Sequence, residues 1–232
     1  MNQSLAFGRM PSSTVENYLK AILRLSDEVA EGALVPVGKI ATALSLTPGT
    51  VTTMMKHLGK EGYLDYLPRK GVVLTDAGRK AAVQVLRRHR LIELFLVEVM
   101  HLDWAHVHEE AEVLEHVLSD RLVERIDEML GRPAHDPHGD PIPDAKGVMR
   151  EDQLKNLSEC GPGKYQLVRV TRDEPEFLSW LQSQGLRPGI GIDVVNRDPL
   201  AGIVEIRVDE SKAAIRIGEA VAGVLGVGNS TK

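Results

Sequence analysis

The stretch VPVGKIATALSLTPGTVTTMMKHLGKEGYL, residues 35–64, decides how the first third of the chain folds. Its apolar residues recur at helical spacing in two segments, which a short turn separates. The first segment covers residues 37–44. The second begins at Thr47, which can cap a helix, with Pro48 at the first helical position. The stretch therefore predicts two helices around a tight turn.

A further helix precedes this stretch, and a basic hairpin follows it. Residues 12–30, SSTVENYLKAILRLSDEVA, have helical spacing, and Ser12 or Ser13 can cap the helix. Residues 63–78, YLDYLPRKGVVLTDAG, indicate two short strands joined by a turn that carries Arg69 and Lys70. This order is that of a winged helix-turn-helix, whose second helix enters the major groove of DNA.

Ten residues of this region are candidates for DNA contact. Threonine hydroxyls and methyls at the start of the second helix suit base edges, whereas lysines and the cations of the wing suit phosphates. The candidates are Thr47, Pro48, Gly49, Thr50, Thr52, Thr53, Lys56, Lys60, Arg69 and Lys70. The alternative is a structural helical hairpin whose lysines serve only solubility.

Charge is distributed unevenly along the chain, whose formal net charge is −5. Residues 1–80 hold 10 basic and 7 acidic side chains, whereas residues 81–158 hold 9 and 16. Seven of the eight histidines also lie in that acidic middle third. The first third can therefore meet nucleic acid, and the middle third concentrates side chains that bind metals.

Three features concern the cellular compartment. No apolar run approaches the roughly 20 residues of a membrane helix. The N-terminus, MNQSLAFGRMPSS, has no apolar signal core. Cys160 is the only cysteine, which fits a reducing compartment. We therefore expect a cytoplasmic protein without a membrane partner.

The rest of the chain divides into a helical part and a strand-rich part. Helical spacing predicts helices at residues 76–100, 104–118 and 120–130. Residues 131–163 are rich in Pro, Gly and Asp and indicate a loop and linker. The last seventy or so residues alternate like strands around one short helix, EPEFLSWLQSQGL, and predict a small β-barrel.

The segment HVHEEAEVLEH, residues 106–116, concentrates imidazoles and carboxylates on one predicted helix. Four of them fall within an arc of roughly 100° at helical spacing, namely His108, Glu112, Glu115 and His116. On the preceding helix, His89 and Glu93 are neighbours at i and i+4. Nitrogen and oxygen donors without thiolate suit Mn, Fe, Co or Zn. The alternative is an amphipathic helix with structural His–Glu pairs.

A loop element, HDPHG at residues 135–139, adds two further candidate metal ligands. They are Asp136 and His138.

These segments together resemble the diphtheria-toxin-repressor family of metal-dependent transcriptional regulators, with its manganese- and iron-sensing branches. The matching segments in the first 143 residues are STVENYLKAIL, LTPGTVTTMMKHLGKEGYL, GVVLTDAGRK, RRHRLIELFLVEV, VHEEAEVLEHVLSD and PHGDPIP. From about Ser158 the chain resembles the SH3-like (FeoA-like) third domain of longer members.

The resemblance implies an α+β multidomain protein with three parts. Residues 1–75 would form the winged helix-turn-helix, residues 76–150 an all-α dimerisation and metal-binding domain, and residues 158–232 the SH3-like small β-barrel.

The resemblance also implies two metal sites per subunit. One uses His89, Glu93 and His108 and is often completed from the SH3-like domain. Its candidate there is Asp173, with Glu174 or Glu176 as alternatives, and Asp136 and His138 as further contributors. The other site uses Glu112, Glu115 and His116 with Asn17 of the first helix.

Two positions of the second site bear on the identity of the metal. Asn17 stands where the iron branch has methionine and the manganese branch has aspartate, and Glu112 stands where the iron branch has cysteine. Loss of both sulfur ligands favours Mn²⁺, with Fe²⁺ as the alternative.

The resulting hypothesis is a homodimeric repressor, not an enzyme, that binds double-stranded operator DNA. Metal is its corepressor at the promoters of metal-uptake genes. Two alternatives remain. A metallohydrolase could use the same residues, although the chain has no HExxH motif and no nucleophile elbow. The second alternative is a winged-helix regulator whose DNA binding does not depend on metal.

Overall fold

The computed structural model describes residues 12–27, 29–30, 32–150, 152–208 and 214–229. The chain divides into two compact units, Met1–Arg87 and Arg88–Lys232, and each is described by itself.

The first unit has the winged helix-turn-helix order that the sequence predicts. Its elements are α1 (Ser13–Ser26), α2 (Val37–Ala43), α3 (Pro48–Lys60), β1 (Leu64–Leu67) and β2 (Gly71–Leu74). Thr47 caps α3, because its Oγ1 accepts the N–H of Thr50 at 3.2 Å. Of the two candidates for the cap of α1, Ser12 is the one used.

The wing and α3 are held in place by backbone pairing and by apolar packing. Strands β1 and β2 are antiparallel, from Leu64 opposite Leu74 to Leu67 opposite Gly71. Helix α3 packs against α2 and β1. It buries Val51, Met55 and Leu58 completely, which leaves its opposite face to solvent.

The helices of the second unit are shorter than predicted. Helix α4 (Asp76–Glu98) begins in the first unit and continues into the second, followed by α5 (Val107–Leu114) and α6 (Asp120–Met129).

The prediction of one helix over residues 104–118 was wrong at both ends. At its start, the Asp103 carboxylate accepts the N–H of Ala105, and the side chain of Trp104 is buried in the core of the C-terminal sheet. At its end, the N–H of Val117 turns back to the oxygen of Leu114, three residues earlier. Glu115 is therefore the C-cap of α5, and His116 lies on the following turn.

The C-terminal part is one antiparallel sheet in the order β3-β8-β4-β5-β6-β7. The strands are β3 (Lys155–Asn156), β4 (Gly163–Val170), β5 (Gly191–Asp198), β6 (Ile203–Val208), β7 (Ala214–Gly218) and β8 (Leu225–Asn229), with helices α7 (Pro175–Ser183) and α8 (Glu219–Ala222). The strand-like alternation of residues 164–173, 190–198 and 202–217 predicts β4 to β7, and EPEFLSWLQSQGL predicts α7, whereas β3, β8 and α8 were not predicted. Residues 209–213 of that prediction lie outside the described residues.

The sheet shares its apolar core with the turn between α4 and α5. Trp104 and Ala105 of that turn belong to the same buried cluster as Leu167, Leu178 and Val227. The helical part and the sheet of this unit are therefore packed on one another.

Within the described residues, none of the helices combines the length and the apolar character that a membrane span requires.

Candidate metal centre

Among the described residues of the second unit, three groups of His, Asp and Glu side chains are close enough to hold a cation. The first group is His89, Glu93 and His108, the second is His89, Glu112 and Glu115, and the third is Glu93, Asp136 and His138. Within each group the potential ligand atoms all lie within 4.8 Å of one another. Because His89 and Glu93 each belong to two groups, the three groups are connected.

His89 connects the first two groups through its two ring nitrogens. Its Nε2 lies 2.9 Å from Oε1 of Glu93 and 3.1 Å from Nδ1 of His108. Its Nδ1 lies 2.6 Å from Oε2 of Glu115. The imidazole is fully buried, so α4 and α5 hold it in one orientation.

Glu93 is a buried carboxylate surrounded by imidazoles. Its Oε1 lies 3.1 Å from Nδ1 of His108, and its Oε2 lies 4.0 Å from Nδ1 of His138. Burial raises the pKa of Glu93, but the histidines His89, His108 and His138 lower that pKa well below its usual range. The Glu93 carboxylate is therefore ionised at neutral pH, the form in which it could bind a cation.

The tautomer of His138 follows from its contact with a backbone carbonyl. Its Nε2 lies 3.0 Å from the oxygen of Trp104, and a carbonyl can only accept, so Nε2 carries the proton. The ring also stacks on the Trp104 indole, with centroids 5.4 Å apart. In the neutral ring Nδ1 keeps its lone pair, on the side of Glu93.

Asp136 is a buried carboxylate with one oxygen held by the backbone. Its Oδ1 accepts the N–H groups of His138 at 2.8 Å and Asp140 at 2.9 Å. Its Oδ2 lies 3.6 Å from Nε of Arg90. Burial, followed by the charges of Asp140 and Glu93, raises the pKa of Asp136 well above its usual range, and Arg90 offsets only part of this. A cation bound at the third group would favour the ionised form.

The loop that carries Asp136 and His138 is held against strand β4. The N–H of Val170 donates to the oxygen of His138 at 2.8 Å, and Nε of Arg169 donates to the oxygen of Gly139 at 3.2 Å. Gly139 has a φ of +86°, and a Cβ there would overlap the carbonyl oxygen of Val168. Glycine is thus required at this position by both conformation and space.

The remaining predicted ligands lie in different surroundings. Oε1 of Glu112 lies 3.5 Å from Nε2 of His108 and 3.8 Å from Nδ1 of His89. Nε2 of His116 lies 3.3 Å from Oε1 of Glu115. Asn17 is half-buried on α1 of the first unit.

Asp173 and its alternatives are exposed at the start of α7. The carboxylate of Glu174 pairs with Nε of Arg172 at 2.7 Å. Among the described residues, the three groups do not include Asp173, Glu174 or Glu176. The ligand role of each predicted residue stays a prediction.

Sequence reasoning missed Arg90, Trp104 and Gly139, which position the third group without belonging to it. Arg90 lies next to His89 in sequence, but no spacing pattern points to it. Trp104 and Gly139 act through contacts between residues far apart in sequence. The Pro- and Gly-rich composition of residues 131–163 indicates a loop but not which strand holds it.

The donor chemistry of the three groups fits a divalent first-row metal. Every member is an imidazole or a carboxylate, and the only cysteine, Cys160, belongs to none of the groups found among the described residues. Oxygen-rich sets of this kind suit Mn²⁺ and Fe²⁺ rather than thiophilic ions.

Replacing Asp136 by Asn should separate stability from metal binding. Since ionised Asp136 is disfavoured by burial and by two like charges, the metal-free Asp136→Asn variant should unfold at the same temperature as the unmodified protein or higher. Addition of Mn²⁺ should raise its melting temperature less, because one anionic ligand is missing. Thermal denaturation with and without Mn²⁺ measures both. If Mn²⁺ raises the melting temperature of the variant as much as that of the unmodified protein, Asp136 is not a metal ligand.

Comparison with known proteins identifies the domains. The iron-dependent-repressor N-terminal DNA-binding domain matches residues 10–72, and the iron-dependent-repressor metal-binding and dimerisation domain matches residues 75–144. A FeoA domain matches residues 155–222. The diphtheria toxin repressor of Corynebacterium efficiens is 30% identical over 195 residues, which cover 79% of this chain and 83% of that protein. The chain belongs to the diphtheria-toxin-repressor family. It is a metal-dependent, DNA-binding transcriptional repressor with a C-terminal SH3-like domain.

Relatives in this family are named for iron and for manganese. The iron-dependent repressor IdeR of Mycobacterium tuberculosis is 36% identical over 194 residues, 78% of this chain and 83% of that one. A manganese-dependent transcriptional repressor solved with manganese has a TM-score of 0.83 at 34% identity and covers 93% of this chain and 100% of that chain. The repressor ScaR with bound Zn²⁺ has a TM-score of 0.74 at 35% identity, covering 95% and 100%.

Proposed function

We propose that this protein is a Mn²⁺-dependent repressor, with Fe²⁺ as the alternative metal, that binds operator DNA as a homodimer in the cytoplasm. Metal acts as corepressor at promoters of metal-uptake genes. The observation that carries the proposal is the connection of three candidate metal groups through His89 and Glu93. The domain division 1–75, 76–150 and 158–232 and the ten DNA-contact residues are part of the same proposal.

The donor set supports manganese over iron. The three groups contain carboxylate oxygens and imidazoles only, and Glu112 takes part in one of them. Hard oxygen donors reduce the advantage that iron and zinc have at sulfur-containing sites. Similarity to a manganese-dependent repressor, with a TM-score of 0.83 at 34% identity, agrees with this assignment, and the 36% identity to the iron-dependent IdeR is the reason that Fe²⁺ stays the alternative.

The connected groups allow metal binding to affect several elements of the protein at once. Glu93 of α4 and Glu115 at the end of α5 contact opposite nitrogens of His89, and Asp136 comes from the loop on β4. A bound divalent cation supplies the positive charge that these carboxylates share. The arrangement of helices that the filled sites favour is the one that binds DNA, and by reciprocity operator DNA tightens metal binding.

The exposed apolar side chains of α5, of the turn after it and of α6 are the proposed dimer surface. Val113 and Val117 are 65% and 71% exposed, and Leu122 and Met129 are also exposed. Exposed apolar side chains favour burial against a second copy. Sedimentation of the 25.5 kDa chain should therefore give the mass of a dimer, and a monomer mass at micromolar concentration would contradict this surface.

We also propose that the metal groups regulate and do not catalyse. Their central members, His89, Glu93 and Glu115, are buried and bonded to one another, which disfavours access by a substrate. Hydrolysis of a phosphoester or peptide in the presence of Mn²⁺, abolished in Glu115→Ala, would contradict this statement.

A metal titration tests the proposed function. Operator binding is followed by fluorescence anisotropy with DNA of the protein's own promoter, in metal-free buffer and with Mn²⁺, anaerobic Fe²⁺ or Zn²⁺. Mn²⁺ should raise the DNA affinity by roughly 5- to 150-fold, the usual range of allosteric coupling. An affinity that no metal changes contradicts the proposal, and a response to Fe²⁺ without one to Mn²⁺ selects the alternative.

The wing offers a prediction that separates DNA binding from stability. The N–H of Lys70 donates to the oxygen of Leu67 at 3.0 Å, and Arg69 occupies this turn with a φ of +65°. A left-handed conformation costs a side-chain residue about 1 kcal/mol, and glycine avoids that cost. Arg69→Gly should therefore be as stable as the unmodified protein or more stable.

The same variant should bind DNA more weakly, with a salt dependence lower by about one phosphate contact. Arg69→Lys is the matched control, because it keeps the charge and should keep the salt slope. If the DNA affinities of the Gly and Lys variants depend equally on salt concentration, Arg69 does not contact a phosphate. The measurements are DNA affinity at several salt concentrations and thermal denaturation.

A further inference from the structure

Helix α3 exposes two chemically different halves along one face. Thr53 lies at the centre of the exposed face, on the side opposite the buried residues Val51, Met55 and Leu58. Lys56 and Lys60 extend the same face toward the C-terminal end and are exposed. The cations suit phosphates, so the choice of bases falls to the threonines of the N-terminal half.

The hydroxyls of Thr52 and Thr53 each use their single proton inside the helix. Oγ1 of Thr52 donates to the oxygen of Pro48 at 2.8 Å, and Oγ1 of Thr53 donates to the oxygen of Gly49 at 3.1 Å. A hydroxyl has only one proton, so each side chain presents a methyl group and an oxygen that can only accept. Gly49, one turn earlier, has no side chain, and a Cβ there would meet nothing closer than 3.8 Å. It leaves room for a base edge beside Thr53.

A surface of methyl groups and acceptors matches one kind of base pair. In the major groove both kinds of base pair present an amino donor, N6 of adenine or N4 of cytosine, but only an A·T pair presents a methyl group, that of thymine. The methyl groups of the helix therefore provide the discrimination, and the oxygen acceptor suits the adenine amino group of the same pair. We propose that Thr53, with Thr52 beside it, selects A·T pairs by packing on the thymine methyl and accepting from the adenine amino group. This inference rests on the proposed DNA-binding function.

The test uses thymine-to-deoxyuridine replacement, which removes only the methyl. A bound sequence is first selected from a randomised duplex pool with the full-length, Mn²⁺-loaded protein. Each thymine of the selected sequence is then replaced in turn. At one or more positions the replacement should weaken binding by about fourfold, the value of one buried CH₂ group.

Two variants of Thr53 separate the methyl from the hydroxyl. Thr53→Val keeps a methyl at the same place and should keep the deoxyuridine effect. Thr53→Ser keeps the hydroxyl but has no methyl, so it should lose the deoxyuridine effect. Circular dichroism checks that both variants keep the helix content of the unmodified protein.

The outcomes distinguish this inference from the proposed function. A pool that yields no bound duplex contradicts the proposed function and this inference with it. A bound duplex rich in G·C opposite α3, or one whose deoxyuridine effect is absent or is equal in Thr53→Ser, overturns this inference and leaves DNA binding standing.

Discussion

His89→Gln should lose most of the Mn²⁺-dependent gain in operator affinity, a loss of roughly 5- to 150-fold. His89 belongs to two of the three candidate groups, and each of its ring nitrogens faces a different carboxylate. Removing this imidazole therefore removes a ligand from both groups at once. Glutamine retains polar atoms for hydrogen bonds to Glu93 or Glu115, so the buried carboxylates are not left wholly without partners.

Anisotropy titrations of operator DNA with and without Mn²⁺ measure this loss. The matched control is His106→Gln, because His106 is an exposed histidine just before α5 and lies outside the three groups. The control should respond to Mn²⁺ like the unmodified protein, and thermal denaturation of the metal-free proteins checks the fold. A full Mn²⁺ response in His89→Gln would contradict the assignment of His89.

Gly139→Ala should disable the third group although no ligand is changed. The added Cβ would overlap the carbonyl oxygen of Val168, so the loop must leave β4 and take Asp136 and His138 with it. The hydrogen bond from Val170 to His138 should break for the same reason. Calorimetric titration should show fewer bound Mn²⁺ ions or weaker binding, and Mn²⁺ should raise the melting temperature less.

Gly131→Ala is the matched control for this effect. Gly131 has a similar positive φ of +75°, but a Cβ added there would have no neighbouring atom within 4 Å. Both alanine variants carry the strain of a left-handed backbone, and only Gly139→Ala carries the overlap with β4. Equal Mn²⁺ binding by the two variants would show that the contact with β4 does not hold the third group.

The winged helix-turn-helix could be predicted from the sequence because local signals decide it. Thr47, Pro48 and the apolar spacing that follows set the start and the buried face of α3, and the structure has both. The limits of α5 could not be predicted from local spacing. Trp104 is buried in the core of a sheet whose strands come much later in the sequence, and this burial sets where the chain turns before α5. Strand β8 was missed because Gly226 and Gly228 resemble turn signals.

The candidate metal centre could likewise be predicted only where local spacing determines it, and not where it depends on tertiary contacts. The pair His89 and Glu93 follows from i, i+4 spacing on one helix, and His108 from the next helix joins it. Glu93 also faces Asp136 and His138, because the loop that carries them packs on β4. The sequence has no periodic signal for that packing. Arg90 contacts Asp136 and the carbonyl of Trp104 contacts His138, and both are contacts of the same tertiary kind.

Anomalous diffraction at the manganese edge, from crystals of the full-length protein grown with Mn²⁺, tests the central claim most directly. The account predicts anomalous peaks in coordination contact with His89 or Glu93 and their partner carboxylates, in at least one of the three groups. Peaks confined to surface carboxylates away from α4 and α5, with no density beside His89 or Glu93, would contradict it.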